Sequence, residues 1–501
     1  MDRQLAGDPA DRRGRGLLDP DMSILVIDVG TSGLRAAVVR PDATVDHVHH
    51  RELLPSSPAP GFVEFDPAAM AHAALEVAQA ALADGGPVAA IGITNQRAST
   101  IVWERATGQP VGPGVGWQDL RTAGLCLMLK EQGLRLAPNQ SATKLAFLLD
   151  LADADRSRDL CFGTVDTWIA SALSGGTIHV TDPSNAGVTG LLRLDGTGWD
   201  EHVAERLRIP DSVLPTIVDS SGVVGEASAL PGSPPIAGVA GDQQASLLGQ
   251  GCVRPGQAKV TFGTGGMLDL NIGPDRPEFD RLGAGGSYPI VAWRRQGFVT
   301  WGLEAVMLAA GTNVEWLRDD LGVIDSAAES HDVAASCDGT DGVTFVPALL
   351  GMGTPQWDYG ARGTLLGVTR GTSRAHLVRA VLEGVAHAGA DLVEAAEADS
   401  GLEIGALRVD GGMSANPTFV QALADAAQRP VEVSPVLEAT TRGAGFLAGL
   451  AVGTWASDDD IAATWAPALV VEPGRKPDRE RWRDACRRAG GWLPELSSIQ
   501  F

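Results

Sequence analysis

The stretch ILVIDVGTSGLRAAVV at residues 24–39 decides how the rest of the chain is interpreted. Two apolar, β-branched runs, 24–27 and 34–39, flank a short turn that carries Gly30, Thr31 and Ser32. This order of strand, glycine-containing turn and strand predicts a β-hairpin. A tight turn of small residues directs several backbone N–H groups and a hydroxyl toward one point, which is suited to binding an anion without a lysine.

A second stretch of the same kind occurs far along the chain, in KVTFGTGGMLDL at residues 259–270. Its turn, at 263–266, is again built from glycine and threonine. Two hairpins of one design predict a duplicated pair of domains. We place a disordered extension at residues 1–22, the first domain at 23–254, and the second domain, with a terminal helix, at 255–501.

The segments around these hairpins alternate between the two kinds of secondary structure, which favours an α/β fold. Apolar periodicity and helix-forming composition predict helices at 70–83, 144–152, 165–173, 304–318, 375–398 and 417–427. Short buried runs predict strands at 88–94, 99–103 and 406–409.

Composition excludes several classes of protein. Lys and Arg total 39 against 62 Asp and Glu, a net charge of −23, which is a poor surface for nucleic acid or an anionic membrane. No apolar run reaches the ~20 residues of a membrane span, so we expect no membrane insertion. The five cysteines are scattered and contain no C-x-x-C pair, which indicates a reducing compartment without a zinc site. These features predict a cytoplasmic protein.

The common nucleotide motifs are missing. No G-x-x-x-x-G-K-[ST] loop occurs, and the one G-x-G-x-x-A, at residues 443–448, lies in an Ala/Gly-rich helical pattern that favours close helix packing. Phosphate binding therefore falls to the two glycine turns. Asp28 ends the first strand, where one carboxylate beside the phosphates suffices to hold a hydrated Mg²⁺.

A series of motifs in collinear order resembles the FGGY family of carbohydrate kinases over residues 24–455. It includes DVGTSGLR, IGITNQR, GVGWQDLRTA, SATK, FGTVDTW, VTDPSNA, GDQQ, FGTGG and LRVDGGMSANPTF. The run TNQR at 94–97 favours the glycerol-kinase branch over the pentulose kinases. The resemblance implies two actin-like (ribonuclease H-like) ATPase domains with a catalytic cleft between them. It also implies ATP-dependent phosphorylation of a terminal hydroxyl of glycerol or a related small polyol, with Mg²⁺, in a dimer or tetramer.

The resemblance also implies roles for single residues. Asp242 of GDQQ matches the catalytic base and, with Asp28, the magnesium site. The polyol pocket matches Arg97, Ala98, Trp117, Asn139, Asp242, Gln243 and Met267. The ATP site matches Thr31, Ser32, Gly33, Arg35, Thr264, Gly265, Gly311, Glu315, Gly412 and Asn416.

Three pocket positions depart from the family pattern. Ala98 replaces a glutamate that accepts a polyol hydroxyl, Asn139 replaces a tyrosine, and Met267 replaces a phenylalanine. Each change shortens a side chain or makes it more flexible, so we expect a larger cavity and a polyol somewhat bigger than glycerol. A pentulose substrate, or a catalytically idle sugar-binding regulator, remains as an alternative.

Overall fold

The computed structural model describes residues 23–436 and 438–499, so the extension expected at 1–22 lies outside the described residues. The strands are β1 (Ile24–Val29), β2 (Gly33–Val39), β3 (Val45–Glu52), β4 (Glu64–Phe65), β5 (Ala90–Asn95), β6 (Ile101–Glu104), β7 (Gly114–Val115), β8 (Leu160–Gly163), β9 (Val180–Thr181), β10 (Thr216–Ile217), β11 (Ser221–Glu226), β12 (Pro235–Gly241), β13 (Ala258–Phe262), β14 (Gly266–Gly273), β15 (Tyr288–Arg295), β16 (Phe298–Met307), β17 (Thr344–Val346), β18 (Thr364–Leu366), β19 (Leu407–Asp410), β20 (Val431–Val433) and β21 (Leu469–Val471).

The helices cover the faces of the sheets. They are α1 (Pro67–Gly85), α2 (Ala123–Glu131), α3 (Ser141–Ala152), α4 (Val165–Leu173), α5 (Pro183–Gly187), α6 (Glu201–Arg206), α7 (Asp242–Gly249), α8 (Thr312–Glu315), α9 (Glu329–Ala335), α10 (Arg374–Ser400), α11 (Pro417–Ala427), α12 (Ala439–Val452), α13 (Asp458–Ala463), α14 (Arg479–Ala489) and α15 (Pro494–Ser497). The α/β class is confirmed, and α14 is the expected terminal helix.

One sheet of 13 strands holds two sets of five in the same order. The first repeat is β3-β2-β1-β5-β12 and the second repeat is β16-β14-β13-β19-β20. In both, three antiparallel strands are followed by two parallel ones. This equivalence confirms the duplication that the paired hairpins predict, whereas the exact division at 254/255 stays a prediction.

Both predicted hairpins are present. In the first, Asp28 lies opposite Arg35, and the turn is closed by the Gly30 N–H donating to the Gly33 carbonyl at 2.9 Å. In the second, β13 and β14 pair to the last residue of β13, where Phe262 lies opposite Gly266. The two turns therefore occupy equivalent places, each at the end of the first strand of its repeat.

The helix predicted at 304–318 is wrong over its first part. Residues up to Met307 belong to strand β16, and helical structure begins only with α8 and continues as a π-helical turn at Trp316–Asp320. β16 lies inside the sheet between β14 and β15, and residues 301–305 are buried in succession. A strand covered on both faces lacks the alternation that distinguishes it from a buried helix, so periodicity misassigned it.

Helix α12 packs against α7 through glycine. A Cβ at Gly443 would lie 1.7 Å from the carbonyl oxygen of Ala245, and one at Gly249 would lie 1.8 Å from that of Ala439. The G-x-G-x-x-A run is thus a helix-packing surface, as its Ala/Gly-rich context predicts. Because α7 begins with Asp242, this contact also fixes the helix that carries the predicted catalytic base.

Replacement of Gly443 by alanine should lower the free energy of unfolding by about 1–3 kcal/mol, since the added methyl group must displace helix backbone. Gly124→Ala is the matched control, because Gly124 also lies in a helix and a methyl group there would meet no other element of the described chain within 4 Å. We expect Gly124→Ala to raise stability by up to about 1 kcal/mol. Urea unfolding of both variants tests this, and equal stabilities would contradict the close packing.

No helix within residues 23–436 and 438–499 is long and apolar enough to cross a membrane.

Candidate functional site

Asp28 stands at the end of β1, beside the first glycine turn. Its Oδ2 lies 3.6 Å from Arg35 Nε and accepts a hydrogen bond of 3.3 Å from the Thr441 hydroxyl of α12. Burial raises the pKa of Asp28 to about 6; Arg35 opposes this rise and the nearby charge of Asp242 adds to it. The structure therefore brings the two predicted metal carboxylates, Asp28 and Asp242, into one electrostatic environment.

Asp242 follows β12 directly and is the first residue of α7. Its Oδ1 accepts the backbone N–H of Gln243 at 2.8 Å and lies 3.4 Å from Arg97 Nε. Burial raises the pKa of this carboxyl group, while Arg97 opposes the rise. A raised pKa makes a carboxylate a stronger base, and the adjacent guanidinium favours its ionised form.

Arg97 follows β5 and forms a two-pronged ion pair across the site. Its Nη1 donates to Glu304 Oε2 at 2.6 Å and its Nη2 donates to Glu304 Oε1 at 3.0 Å. The Glu304 side chain is only 1% exposed. Burial opposes its ionisation, but the charge and hydrogen bonds of Arg97 lower the pKa of Glu304 overall. The guanidinium is thus anchored on one edge and faces Asp242 on another.

Gln243 is oriented by a lysine from β13. Lys259 Nζ donates to Gln243 Oε1 at 2.6 Å and to the Thr261 hydroxyl at 3.0 Å. The sequence interpretation missed both Glu304 and Lys259. Each is a charged residue inside an otherwise apolar run, and charged residues are rarely buried without a partner. This pattern could have indicated that both take part in buried polar contacts.

Trp117 connects the expected polyol pocket to the first glycine turn. Its indole Nε1 donates to the Thr31 hydroxyl at 3.1 Å, and its backbone N–H donates to the Ser99 hydroxyl at 3.1 Å. Ala98 lies just before Ser99 in a left-handed conformation with φ 62°. Its carbonyl oxygen accepts the Ser141 hydroxyl at 3.0 Å, which ties this loop to the start of α3.

The remaining pocket positions are less enclosed. Asn139 is exposed, and its backbone carbonyl accepts a 3.0 Å hydrogen bond from the buried Lys144, which also donates to the Gly116 carbonyl at 3.1 Å. Met267 is partly buried on β14. The roles of the Asn139 and Met267 side chains toward a polyol stay predictions.

The expected nucleotide positions gather around the end of β13. The second turn, with Thr264 and Gly265, accepts backbone hydrogen bonds from the segment of Gly311: the Gly311 N–H donates to the Gly263 carbonyl at 2.8 Å and the Ala310 N–H to the Thr264 carbonyl at 2.7 Å. Gly411 has φ 86°, and a Cβ there would lie 2.4 Å from the Phe262 carbonyl oxygen. Only glycine allows this approach, which places Gly412 beside the same turn.

Asn416 and Glu315 differ in how they are held. Asn416 Oδ1 accepts the Phe419 N–H at 3.1 Å as the N-cap of α11, and its Nδ2 donates to the Ser330 hydroxyl at 2.9 Å. Glu315 is exposed at the end of α8.

The first glycine turn is held against β3. The Ser32 carbonyl accepts the Leu53 N–H at 3.0 Å, and a Cβ at Gly33 would meet the Arg51 carbonyl oxygen at 2.7 Å.

Comparison with known proteins identifies this arrangement. The FGGY family of carbohydrate kinases matches in both of its parts, its N-terminal domain over residues 23–249 and its C-terminal domain over residues 260–452. The chain belongs to this family. As an FGGY kinase it has the two-domain fold that the sequence resemblance implies.

Individual relatives agree over nearly the whole length of this FGGY kinase. The glycerol kinase of Aromatoleum aromaticum is 42% identical over 496 residues, which cover 94% of this chain and 99% of that protein. The glycerol kinase of Bordetella parapertussis is 43% identical over 498 residues, 94% of this chain and 97% of that protein. The crystal structure of Plasmodium falciparum glycerol kinase with ADP superposes with a TM-score of 0.86 at 29% identity, covering 96% of this chain and 99% of that one.

The Asp28 and Asp242 carboxylates of this FGGY kinase suit a cation that takes few of its ligands from the protein. Among the described residues, no group of three or more His, Cys, Asp or Glu side chains could form an all-protein metal cage. Asp28 and Asp242 offer hard oxygen donors whose mutual repulsion a cation would relieve. Mg²⁺ keeps several waters and is held by one or two carboxylates together with substrate phosphates, so the donor set suits it.

Proposed function

We propose that this FGGY kinase transfers the γ-phosphoryl group of ATP to a terminal hydroxyl of glycerol or a related small polyol. The observation that carries the proposal is the partly buried carboxylate of Asp242, held 3.4 Å from the Arg97 guanidinium and adjacent to Gln243. A base next to oriented hydrogen-bond donors is what a weakly nucleophilic alcohol requires. Similarity to glycerol kinases over 94% of the chain supports glycerol as the substrate.

In the reaction, the terminal oxygen of the polyol forms a bond to the γ-phosphorus while the bond between that phosphorus and the β–γ bridging oxygen breaks. Asp242 accepts the proton of the attacking hydroxyl, and ADP leaves. Because such transition states are loose, much of the catalysis comes from alignment of the oxygen with the phosphorus. Arg97 and Gln243 orient the neighbouring hydroxyls, and Trp117 forms a wall along the carbon chain.

The phosphates of ATP are bound by the two glycine turns, with Thr31, Ser32, Gly33 and Arg35 in the first turn, and Thr264 and Gly265 in the second. The nucleoside lies against Gly311, Glu315, Gly412 and Asn416. A bound Mg²⁺, held by Asp28 and Asp242, supplies charge neutralisation at the phosphates. We further propose a cytoplasmic dimer or tetramer.

Asp28→Asn should raise the Mg²⁺ concentration for half-maximal activity by about tenfold, because it removes a charged ligand. Titration of Mg²⁺ at saturating ATP and polyol measures this change. Asp42→Asn is the matched control, since Asp42 is an exposed aspartate beyond the other end of the same hairpin. An unchanged Mg²⁺ requirement in Asp28→Asn would remove Asp28 from the metal site.

A panel of polyols with coupled detection of ADP tests the proposed substrate. We expect turnover of glycerol, and the shorter or more flexible side chains at Ala98, Asn139 and Met267 predict that four- and five-carbon polyols are also accepted. A preference for glycerol of more than about 200-fold in kcat/KM would contradict the larger cavity. An absence of ADP formation with every polyol would contradict the kinase and favour a sugar-binding regulator.

A further inference from the structure

A row of four polar side chains crosses the neighbouring strands β13, β14, β16 and β15. Lys259 on β13 lies opposite Asp269 on β14, Asp269 lies opposite Glu304 on β16, and Glu304 lies opposite Tyr288 on β15. The Lys259 and Asp269 side chains are fully buried and Glu304 is 1% exposed. We call these four residues the buried polar row.

Two members of this row contact residues that follow strands of the first repeat and are expected to bind the polyol. Lys259 donates to Gln243 at 2.6 Å, and Glu304 accepts both prongs of Arg97 at 2.6 and 3.0 Å. The Tyr288 hydroxyl donates to Glu304 as well. The row therefore connects the two repeats directly behind the proposed polyol site.

These contacts determine which atoms face the substrate. The Oε1 atom of Gln243 is occupied by Lys259, so its Nε2 amide group is left to donate to a polyol oxygen. Both Glu304 oxygens already accept hydrogen bonds from Arg97 or Tyr288 and the side chain is 1% exposed, so we expect Glu304 to act through Arg97 and not by contact with the polyol. Since Ala98 offers no carboxylate, recognition depends on how rigidly Gln243 and Arg97 are held.

Asp269 lies between Lys259 and Glu304 in the row. Lys259 Nζ lies 2.7 Å from Asp269 Oδ2, yet within the described part of the chain neither Asp269 oxygen has an aligned hydrogen-bond donor. Burial raises the pKa of Asp269 to about 7; Lys259 opposes the rise and Glu304 adds to it. Lys259 opposes the charge of Asp269 as Arg97 opposes that of Glu304, so each of these two buried carboxyl groups has a cation beside it.

We propose that the buried polar row determines polyol recognition by positioning Arg97 and Gln243, without touching the polyol itself. The proposal rests on the proposed polyol kinase activity and adds the residues that set its selectivity. Arg97 is suited to such anchoring because one edge of its planar fork binds Glu304 while its Nε lies 3.4 Å from Asp242. Lys259, Asp269, Glu304 and Tyr288 are thus positioning residues.

Steady-state kinetics of Glu304→Gln and Lys259→Met test this role. We expect each substitution to raise the KM for glycerol by about tenfold or more while the KM for ATP changes by less than about twofold, because only the polyol ligands lose their orientation. Asp269→Asn, which keeps the size and polarity of the side chain, should raise the glycerol KM less than Asp269→Leu. Glu52→Gln, at an exposed glutamate on β3, is the control with unchanged kinetics.

Tyr288→Phe keeps the test decisive if a charge-changing variant does not fold, because it removes a single hydroxyl. It should raise the glycerol KM about threefold with little change in the ATP KM. Unchanged glycerol KM values in the folded variants, or equal rises for glycerol and ATP, would overturn the positioning role. A wild-type protein that neither binds nor phosphorylates any polyol would instead overturn the proposed function, and this proposal with it.

Discussion

Replacement of Asp242 by asparagine is expected to lower kcat with glycerol by about 10²–10⁴-fold. The amide cannot accept the proton of the attacking hydroxyl, although it keeps the size of the side chain and its place at the start of α7. ATP binding should persist within a few-fold, since the residues proposed to hold the nucleoside lie around the second glycine turn and those of the first turn are unchanged. Release of ADP measures the turnover, and calorimetry with ADP measures nucleotide binding.

Asp338→Asn provides the matched control, because Asp338 is an exposed aspartate outside the site. Its kinetics should equal those of the unmutated protein. Retention of full kcat in Asp242→Asn would show that the enzyme needs no base at this position and that alignment alone accounts for the transfer. Loss of ADP binding together with kcat would assign Asp242 to nucleotide binding instead.

Replacement of Arg97 by methionine is expected to have the largest effect on stability in the site, lowering the free energy of unfolding by about 3–5 kcal/mol. The substitution leaves the buried Glu304 carboxylate without the two hydrogen bonds it now accepts. It also removes the cation 3.4 Å from Asp242. Urea unfolding of the ligand-free protein measures the loss.

Arg97→Lys separates the charge of this residue from its shape. Lysine keeps a positive charge but cannot bind both oxygens of Glu304 through a planar fork, so we expect a smaller loss of stability with a clear rise in the glycerol KM. Arg51→Met, at an exposed arginine on β3, controls for removal of a surface charge and should change neither quantity. Equal stability of Arg97→Met and Arg51→Met would refute a structural role for the buried ion pair.

Local patterns were sufficient to predict the framework of the site. Each glycine turn is flanked by two apolar runs that form strands. A hairpin is specified by residues that are close in the sequence, so both hairpins were predictable. Asp28 was predicted from its place at the end of the first strand, and Asp242 from the family resemblance. They lie at one edge of the sheet because β1 and β12 both run parallel to β5.

Local patterns failed at β16. A strand buried on both faces has no alternation to reveal it, and its misassignment as helix concealed Glu304 at the same time. Lys259 was placed on its strand correctly, but nothing in the neighbouring residues indicates that it contacts Gln243. The shorter or more flexible side chains at the three departing pocket positions predict a larger polyol cavity. They do not indicate which side chains of the second repeat lie behind that cavity.

The sequence by itself determined the duplicated α/β framework, the two glycine turns and membership of the FGGY family, because each depends on short-range order or on many collinear motifs. The tertiary structure alone decided the partners of the proposed polyol ligands. Arg97 and Glu304 are 207 positions apart, and they meet only because the second repeat packs against the first. Contacts of this kind depend on strand register and on the packing of one repeat against the other, which no local pattern specifies.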